Sequence, residues 1–173
     1  MKDTLSIIAQ RKSVRDYTSV PVTNEQIETL LRAAMAAPTA KNLQGWEFIV
    51  ITDRAKLDYI GERIASARMI LKAPLAIVVC GNVSKYTGES QMNWVADCSA
   101  ATENLLLAAE AIGLGGVWTA SYPYADRMAV VREIITGIPE EIMPFCVIPL
   151  GHPAKEDPVK DKWHPEKIHY NQW

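Results

Sequence analysis

The sequence predicts a three-layer sandwich of the α/β or α+β class, in which helices cover both faces of a central sheet. Segments with helical periodicity alternate with short apolar runs along 173 residues, the length of one ordinary domain. Apolar residues make up 49% of the chain and charged residues 22%, enough for a sizeable core without metal ions or disulfide bonds. No repeat, low-complexity run or linker divides the chain, so we expect a single domain over residues 1–173.

The helices are predicted from apolar spacing and from end signals. The clearest begins after Thr23, where Gln26 completes a capping box, and it ends before Pro38 because a residue preceding proline avoids the helical conformation. Its apolar residues from Ile27 to Met35 share one face. Further helices are predicted over residues 3–10, 93–112 and 126–136, with two weaker ones between 53 and 72.

The strands are predicted from short apolar runs at residues 46–52, 75–80 and 145–150. The run after Pro74 is apolar throughout, which is typical of a strand buried on both faces. The glycines of residues 113–116 follow a helix and lead into a further strand, whereas a dinucleotide-binding loop runs from a strand into a helix. The pattern therefore argues against a Rossmann domain.

The tail, residues 151–173, differs in composition from the rest of the chain. It is polar and rich in proline, yet it contains Trp163, Tyr170 and Trp173. Disordered segments are usually poor in aromatic residues. We therefore expect an extended segment that packs on a second copy of the chain.

Composition also excludes several functional classes. The net charge is −2 and no basic run or nucleic-acid motif occurs, so no nucleic-acid partner is expected. No segment has the roughly 20 apolar residues of a membrane span and the N-terminus lacks a signal peptide, so we expect a cytoplasmic protein. The cysteines are expected to be buried, and the three histidines match no metal-ligand spacing.

Three polar segments could carry chemistry. Residues 11–15 contain Arg11, Lys12, Ser13 and Arg15, and an extended chain would place the two arginines and the serine on one side, as suits a phosphate monoester. In the loop of residues 38–46, the amides of Asn42 and Gln44 can both donate and accept, as suits the edge of a heterocycle. Residues 158–162 add further cations. Each segment taken alone fits a solvated surface better than a binding site.

Taken together, these segments resemble the FMN-dependent nitroreductase family. The resemblance rests on R-K-S-V-R at 11–15, A-P-T-A-K-N-L-Q-G-W at 37–46, G-L-G at 113–115, L-G-H-P-A at 150–154 and K-D-K at 160–162. It spans nearly the whole chain. It implies an α+β fold with a mostly antiparallel sheet between helices, and a homodimer with two FMN sites built from both chains.

The resemblance also implies roles for particular residues. The FMN phosphate would be bound by Arg11, Lys12, Ser13, Arg15, Lys160 and Lys162. The flavin ring would meet, from the other chain, Pro38, Thr39, Asn42 and Gln44. The stretch beginning with Trp118 and Thr119 would approach its reactive nitrogen. Lys12 is a candidate for electrostatic support of the reduced flavin, and no catalytic side chain is expected because the flavin carries the chemistry.

The implied activity is the ping-pong reduction of small oxidised compounds, such as nitroaromatics or quinones, with NADH or NADPH as donor. Alternatives are reductive dehalogenation or flavin fragmentation on the same fold, and a flavin-binding protein without turnover. The chain departs from the family pattern in three places. Gly45 replaces the usual proline and is expected to loosen its loop, Lys162 stands where arginine is commoner, and the segment covering the flavin is reduced to residues 82–92.

Overall fold

A computed structural model describes residues 3–156 and 158–173 of the chain. Its α-helices are α1 (Thr4–Gln10), α2 (Asn24–Met35), α3 (Arg54–Arg63), α4 (Asn93–Ala111) and α5 (Ala125–Ile134). Its strands are β1 (Trp46–Ile51), β2 (Leu75–Asn82), β3 (Gly115–Gly116), β4 (Thr119–Ala120) and β5 (Ile142–Gly151). Short 3₁₀ turns lie between several of these elements.

The sheet is antiparallel in all pairs between these named strands. The central strand β2 pairs with β1 on one side and with β5 on the other. The short strands β3 and β4 both pair with β5, at its end and near its middle. This topology confirms the α+β class and the mostly antiparallel sheet implied by the sequence.

Alternate residues of β2 enter two separate cores. Leu75, Ile77 and Val79 pack in a cluster with residues of α2 and α4. Ala76 and Val78 pack on the opposite face with residues of α3 and α5. Because both faces of β2 are covered, the continuous apolar run seen in the sequence is explained by burial on two sides.

The ends of several elements follow their local sequence signals. Thr23 and Gln26 form the expected capping box at the start of α2, with both reciprocal hydrogen bonds present. Residues 65–71 form a 3₁₀ helix instead of a second α-helix. The last core strand is longer than expected, because β5 already begins at Ile142.

The described part of the tail beyond residue 157 is exposed in the single chain. Trp163 and Tyr170 are largely exposed, and Trp173 is 99% exposed with its ring stacked only on that of His169. Packing of this segment on a second copy therefore stays a prediction. Within the part of the chain that the structure describes, no helix has the length and apolarity needed to cross a bilayer.

Candidate functional site

An open cavity of about 700 Å³ lies where the segment after α1 meets the tail. Its lining is almost entirely polar and mostly cationic: Arg11, Lys12, Ser13, Arg15, Asp16, Lys72, Lys155, Pro158, Lys160 and Lys162. The structure thus brings the basic residues after α1 together with the lysine pair of the tail. Among the described residues of this lining, seven cations face one carboxylate, so the cavity is suited to an anion.

The basic segment is held by strong contacts to the sheet. The amide of Val14 donates to the carbonyl of Gly116 at 3.0 Å, and Ser13 forms a parallel bridge with the same glycine. The Val14 side chain is buried against Gly115, where an added Cβ would lie 2.5 Å from a methyl of Val14. The glycine motif noted in the sequence therefore makes room for the buried residue between Ser13 and Arg15.

The same segment is also joined to the start of the tail. Tyr17 is buried, and its hydroxyl donates to the carbonyls of Val14 at 2.6 Å and Pro149 at 3.2 Å. The amide of Ala154 donates to the carbonyl of Asp16 at 3.0 Å. These bonds bring the two ends of the domain side by side, which is why cations distant in sequence share one cavity.

Carboxylates of α4 partly balance the cations of the basic segment. Arg11 Nε lies 3.2 Å from a carboxylate oxygen of Glu103, and Lys12 Nζ lies 3.9 Å from one of Glu110. Ion pairs of this kind orient long side chains at small energetic gain when they are exposed. The side chains of Arg11 and Lys12 are therefore oriented before a ligand binds.

Sequence reasoning missed the lining residues Asp16, Lys72 and Lys155. Lys72 Nζ lies 3.0 Å from Asp16 Oδ1, and Lys155 follows the proline and alanine of the fourth motif. Neither lysine belongs to a pattern with a recognisable spacing. Only the contacts between the tail and the basic segment reveal them.

The second predicted segment is a tight turn outside this cavity. Its residues Lys41, Asn42 and Gln44 have positive φ angles of 52°, 54° and 48°. The amide of Gln44 donates to Thr39 Oγ1 at 3.1 Å, and its side-chain nitrogen donates to Asn42 Oδ1 at 3.2 Å. Non-glycine residues rarely adopt the left-handed region, so surrounding contacts must hold this turn.

Within one chain the two groups of predicted residues stay apart. Pro38, Thr39, Asn42 and Gln44 are not among the residues that line the cation-rich cavity. The division of the site between two chains, which the resemblance implies, stays a prediction.

Trp118 and Thr119 lie where the chain enters β4. The ring of Trp118 is partly buried and packs edge-on against Phe145, with centroids 5.5 Å apart. Thr119 is 4% exposed, and its hydroxyl donates to the carbonyl of Val147 at 2.6 Å. Its side chain is thus turned into the sheet, which leaves only its main chain for contact with a ligand.

The three cysteines are buried and free, as expected from the sequence. Burial raises the pKa of the Cys80 and Cys146 thiols to about 12, and it also raises the pKa of Cys98. A thiol is nucleophilic as its thiolate, which such pKa values suppress at neutral pH. These residues act as core side chains.

The fold and the cavity define an α+β protein with a cation-lined cavity that suits an anionic small molecule. The model of the nitroreductase family matches residues 8–68 and 65–152, so the chain belongs to the nitroreductase family. The resemblance seen in its five sequence motifs is thereby confirmed.

Individual relatives agree with this membership. A relative from Archaeoglobus fulgidus, provisionally described as an NADH dehydrogenase/NAD(P)H nitroreductase, is 43% identical over 178 residues and all of both chains. A crystal structure from Parabacteroides distasonis with the same provisional description is 48% identical, covers 100% of both chains and has a TM-score of 0.94. An NADPH:FMN oxidoreductase from Vibrio harveyi, solved with NAD⁺, is 27% identical with a TM-score of 0.88, covering 99% of this chain and 78% of its own.

Proposed function

We propose that this chain binds FMN in a site shared by two copies and reduces small oxidised organic compounds, such as nitroaromatics or quinones, with electrons from NADH or NADPH. Its class, that of FMN-dependent NAD(P)H oxidoreductases, follows from the family. The observation that carries the proposal is the convergence of basic residues from both ends of the domain on one cavity. An FMN phosphate carries about two negative charges, which such a cluster can balance.

The donors in the cavity fit a phosphate monoester. Arg11 and Arg15 can each offer two parallel N–H groups, while Ser13 adds a hydroxyl. Lys160 and Lys162 act as point charges from the tail. Among the described lining residues none is aromatic, so the cavity suits the phosphate and ribityl end of FMN, and the flavin ring needs a different surface.

The turn at residues 38–44 is our candidate for that surface, supplied by the partner chain. Asn42 and Gln44 are exposed, and their amides carry both donors and acceptors. The flavin supplies the hydride chemistry once it is bound. The chain's residues bind it, orient it and balance its charge, with Lys12 as the candidate for electrostatic support near the ring.

Two apolar surfaces support a dimer. In α1, Leu5 and Ile8 are exposed, and the tail presents Trp163, Tyr170 and Trp173 to solvent in the single chain. Clusters of exposed apolar side chains of this kind mark surfaces that bind other proteins. We propose that residues 151–173 pack on the partner and that the dimer completes each flavin site.

The absorption spectrum of the purified protein tests the proposal. We expect flavin bands, release of a compound with the mass of FMN on denaturation, and bleaching when NADH or NADPH is added without oxygen. Addition of a nitroaromatic or a quinone should restore the colour. A flavin that stays oxidised would favour the binding protein without turnover, and a colourless monomer that takes up no FMN would end the proposal.

A further inference from the structure

The short segment between β2 and α4 lies against the turn at residues 38–44. The structure assigns Tyr86 and Asp97 as positioning residues that fix this turn for contact with the flavin ring. The assignment rests on the proposed function, because that function gives the turn its ligand. It also gives a role to part of residues 82–92, which the sequence analysis predicted only to be a shortened segment that covers the flavin.

A buried carboxylate is the centre of this network. Asp97 lies near the start of α4 and is 5% exposed. The amide of Ala40 donates to Asp97 Oδ1 at 3.0 Å and lies 3.2 Å from Oδ2. A carboxylate is costly to bury unless it is hydrogen-bonded, so its placement beneath the turn requires these donors to be kept in place.

Tyr86 supplies the other donor. Its hydroxyl donates to Asp97 Oδ2 at 2.7 Å, and the residue is 4% exposed. Burial and the adjacent carboxylate raise the pKa of Tyr86, so the phenol remains a proton donor throughout the physiological range. The aspartate thus connects the phenol to the main chain inside the turn.

Gly45 makes room for this arrangement. A Cβ added at Gly45 would lie 2.5 Å from both Cε2 and the hydroxyl oxygen of Tyr86. The glycine that replaces the family's usual proline therefore admits the tyrosine ring, and the resulting space is filled. The expected loosening of the loop is not supported, because the ring of Tyr86 fills the space beside Gly45.

Two further bonds hold the end of the turn. Lys85 Nζ lies 3.2 Å from the carbonyl oxygen of Gln44, to which it donates. The amide of Asn82 donates to the carbonyl of Gly45 at 2.6 Å. Left-handed residues persist where surrounding structure fixes them. Here residues 82–86 and Asp97 supply that structure, and they set the direction in which Asn42 and Gln44 point.

The substitution Tyr86→Phe removes the hydroxyl and keeps the ring. The phosphate site is unchanged, so the variant should still bind FMN. The lost bond lies within the protein and affects FMN binding only through the position of the turn, so the affinity should fall by about tenfold at most. The ring environment should change, and this appears as an altered visible circular dichroism spectrum and a shifted midpoint potential of the bound flavin. Asp97→Asn should give the same signature, since the amide keeps only one acceptor oxygen and its NH2 group would face one of the two donors.

Tyr59→Phe is the matched control, because it makes the same chemical change on α3 and should leave affinity, spectrum and potential at wild-type values. A Tyr86→Phe protein with wild-type spectrum and potential would overturn the assignment while leaving the proposed function standing. A wild-type protein that binds no FMN would instead overturn the proposed function.

Hydrogen exchange provides a measurement that needs no variant. In the wild-type protein the Ala40 amide should exchange at least tenfold more slowly than that of Lys41, since only the former donates to a buried carboxylate. Rapid exchange at Ala40 would overturn the assignment even if the variants fail to fold.

Discussion

The basic cavity and the turn at residues 38–44 meet different demands by different means. The cavity is formed by long, partly exposed side chains on a backbone segment that bonds to the sheet in an ordinary extended form. The turn presents short amides from a strained main chain that rests on a buried carboxylate. The contrast indicates that charge can be bound by long side chains oriented by ion pairs, whereas the flat ring edge that we propose as the ligand of the turn would require a fixed backbone.

The largest expected effect comes from removing one wall of the cavity. Deletion of residues 158–173 removes Lys160 and Lys162 together with the exposed aromatic residues of the tail. We expect a monomer that no longer retains FMN, measured by analytical ultracentrifugation and by absorbance after gel filtration. A yellow dimer after deletion would show that the tail contributes neither charge nor subunit contact.

Next in size is the loss of the two arginines. The double variant Arg11→Ala/Arg15→Ala should bind FMN at least ~100-fold more weakly, because each charge-assisted bond contributes roughly 1.5–3 kcal/mol. Titration of apoprotein by flavin fluorescence measures this change. The control Arg32→Ala/Arg63→Ala changes two arginines of α2 and α3 and should bind normally. Full flavin occupancy in the first variant would refute the phosphate assignment.

A packing change should have a smaller effect on the same region. In Gly115→Ala the new Cβ meets Val14 at 2.5 Å, which should lower the free energy of unfolding by about 1–3 kcal/mol and displace the basic segment. Urea denaturation of the apoprotein measures the loss. The double variant Gly115→Ala/Val14→Ala should regain only part of the FMN affinity, because the Cβ that alanine keeps still lies 2.6 Å from the new Cβ. Wild-type stability in the single variant would indicate that the segment shifts freely.

The smallest effect is expected in the turn itself. Lys41→Gly removes a left-handed non-glycine residue, but it also adds freedom to the unfolded chain, so the free energy of unfolding should change by less than about 1 kcal/mol. FMN affinity should hardly change, because the turn is anchored at Ala40. Denaturation and flavin titration test both expectations. A large loss of FMN affinity would show that the rigidity of the turn comes from its own residues.

Much of the fold could be predicted because its signals are local. The capping box at Thr23 lies within one helical turn, and the apolar run of β2 directly reflects burial on both faces. The 3₁₀ form of residues 65–71 was missed, because their contacts with the core outweigh a weak helical pattern. The pairing of β2 with the distant β5 likewise depends on the completed sheet.

In the candidate site, too, features with local sequence signals could be predicted and features that depend on distant contacts could not. Motifs suggested the residues of both regions, and their order along the chain was enough to indicate a shared cofactor. The contributions of Lys72 and Asp97 could not be predicted, since each depends on a contact between distant segments. Gly45 is a further example. In the sequence this glycine suggests a flexible loop, and only the structure shows that it makes room for the ring of Tyr86.

The attachment of the basic segment to the sheet bears on how quickly a ligand can bind. Val14 and Tyr17 are buried and hydrogen-bonded, so the neighbouring cations are already in position before a ligand binds. No folding step has to precede binding. The cavity is therefore preorganised, and association of an anionic ligand should be limited by diffusion and electrostatic steering, with a rate that falls as salt is added.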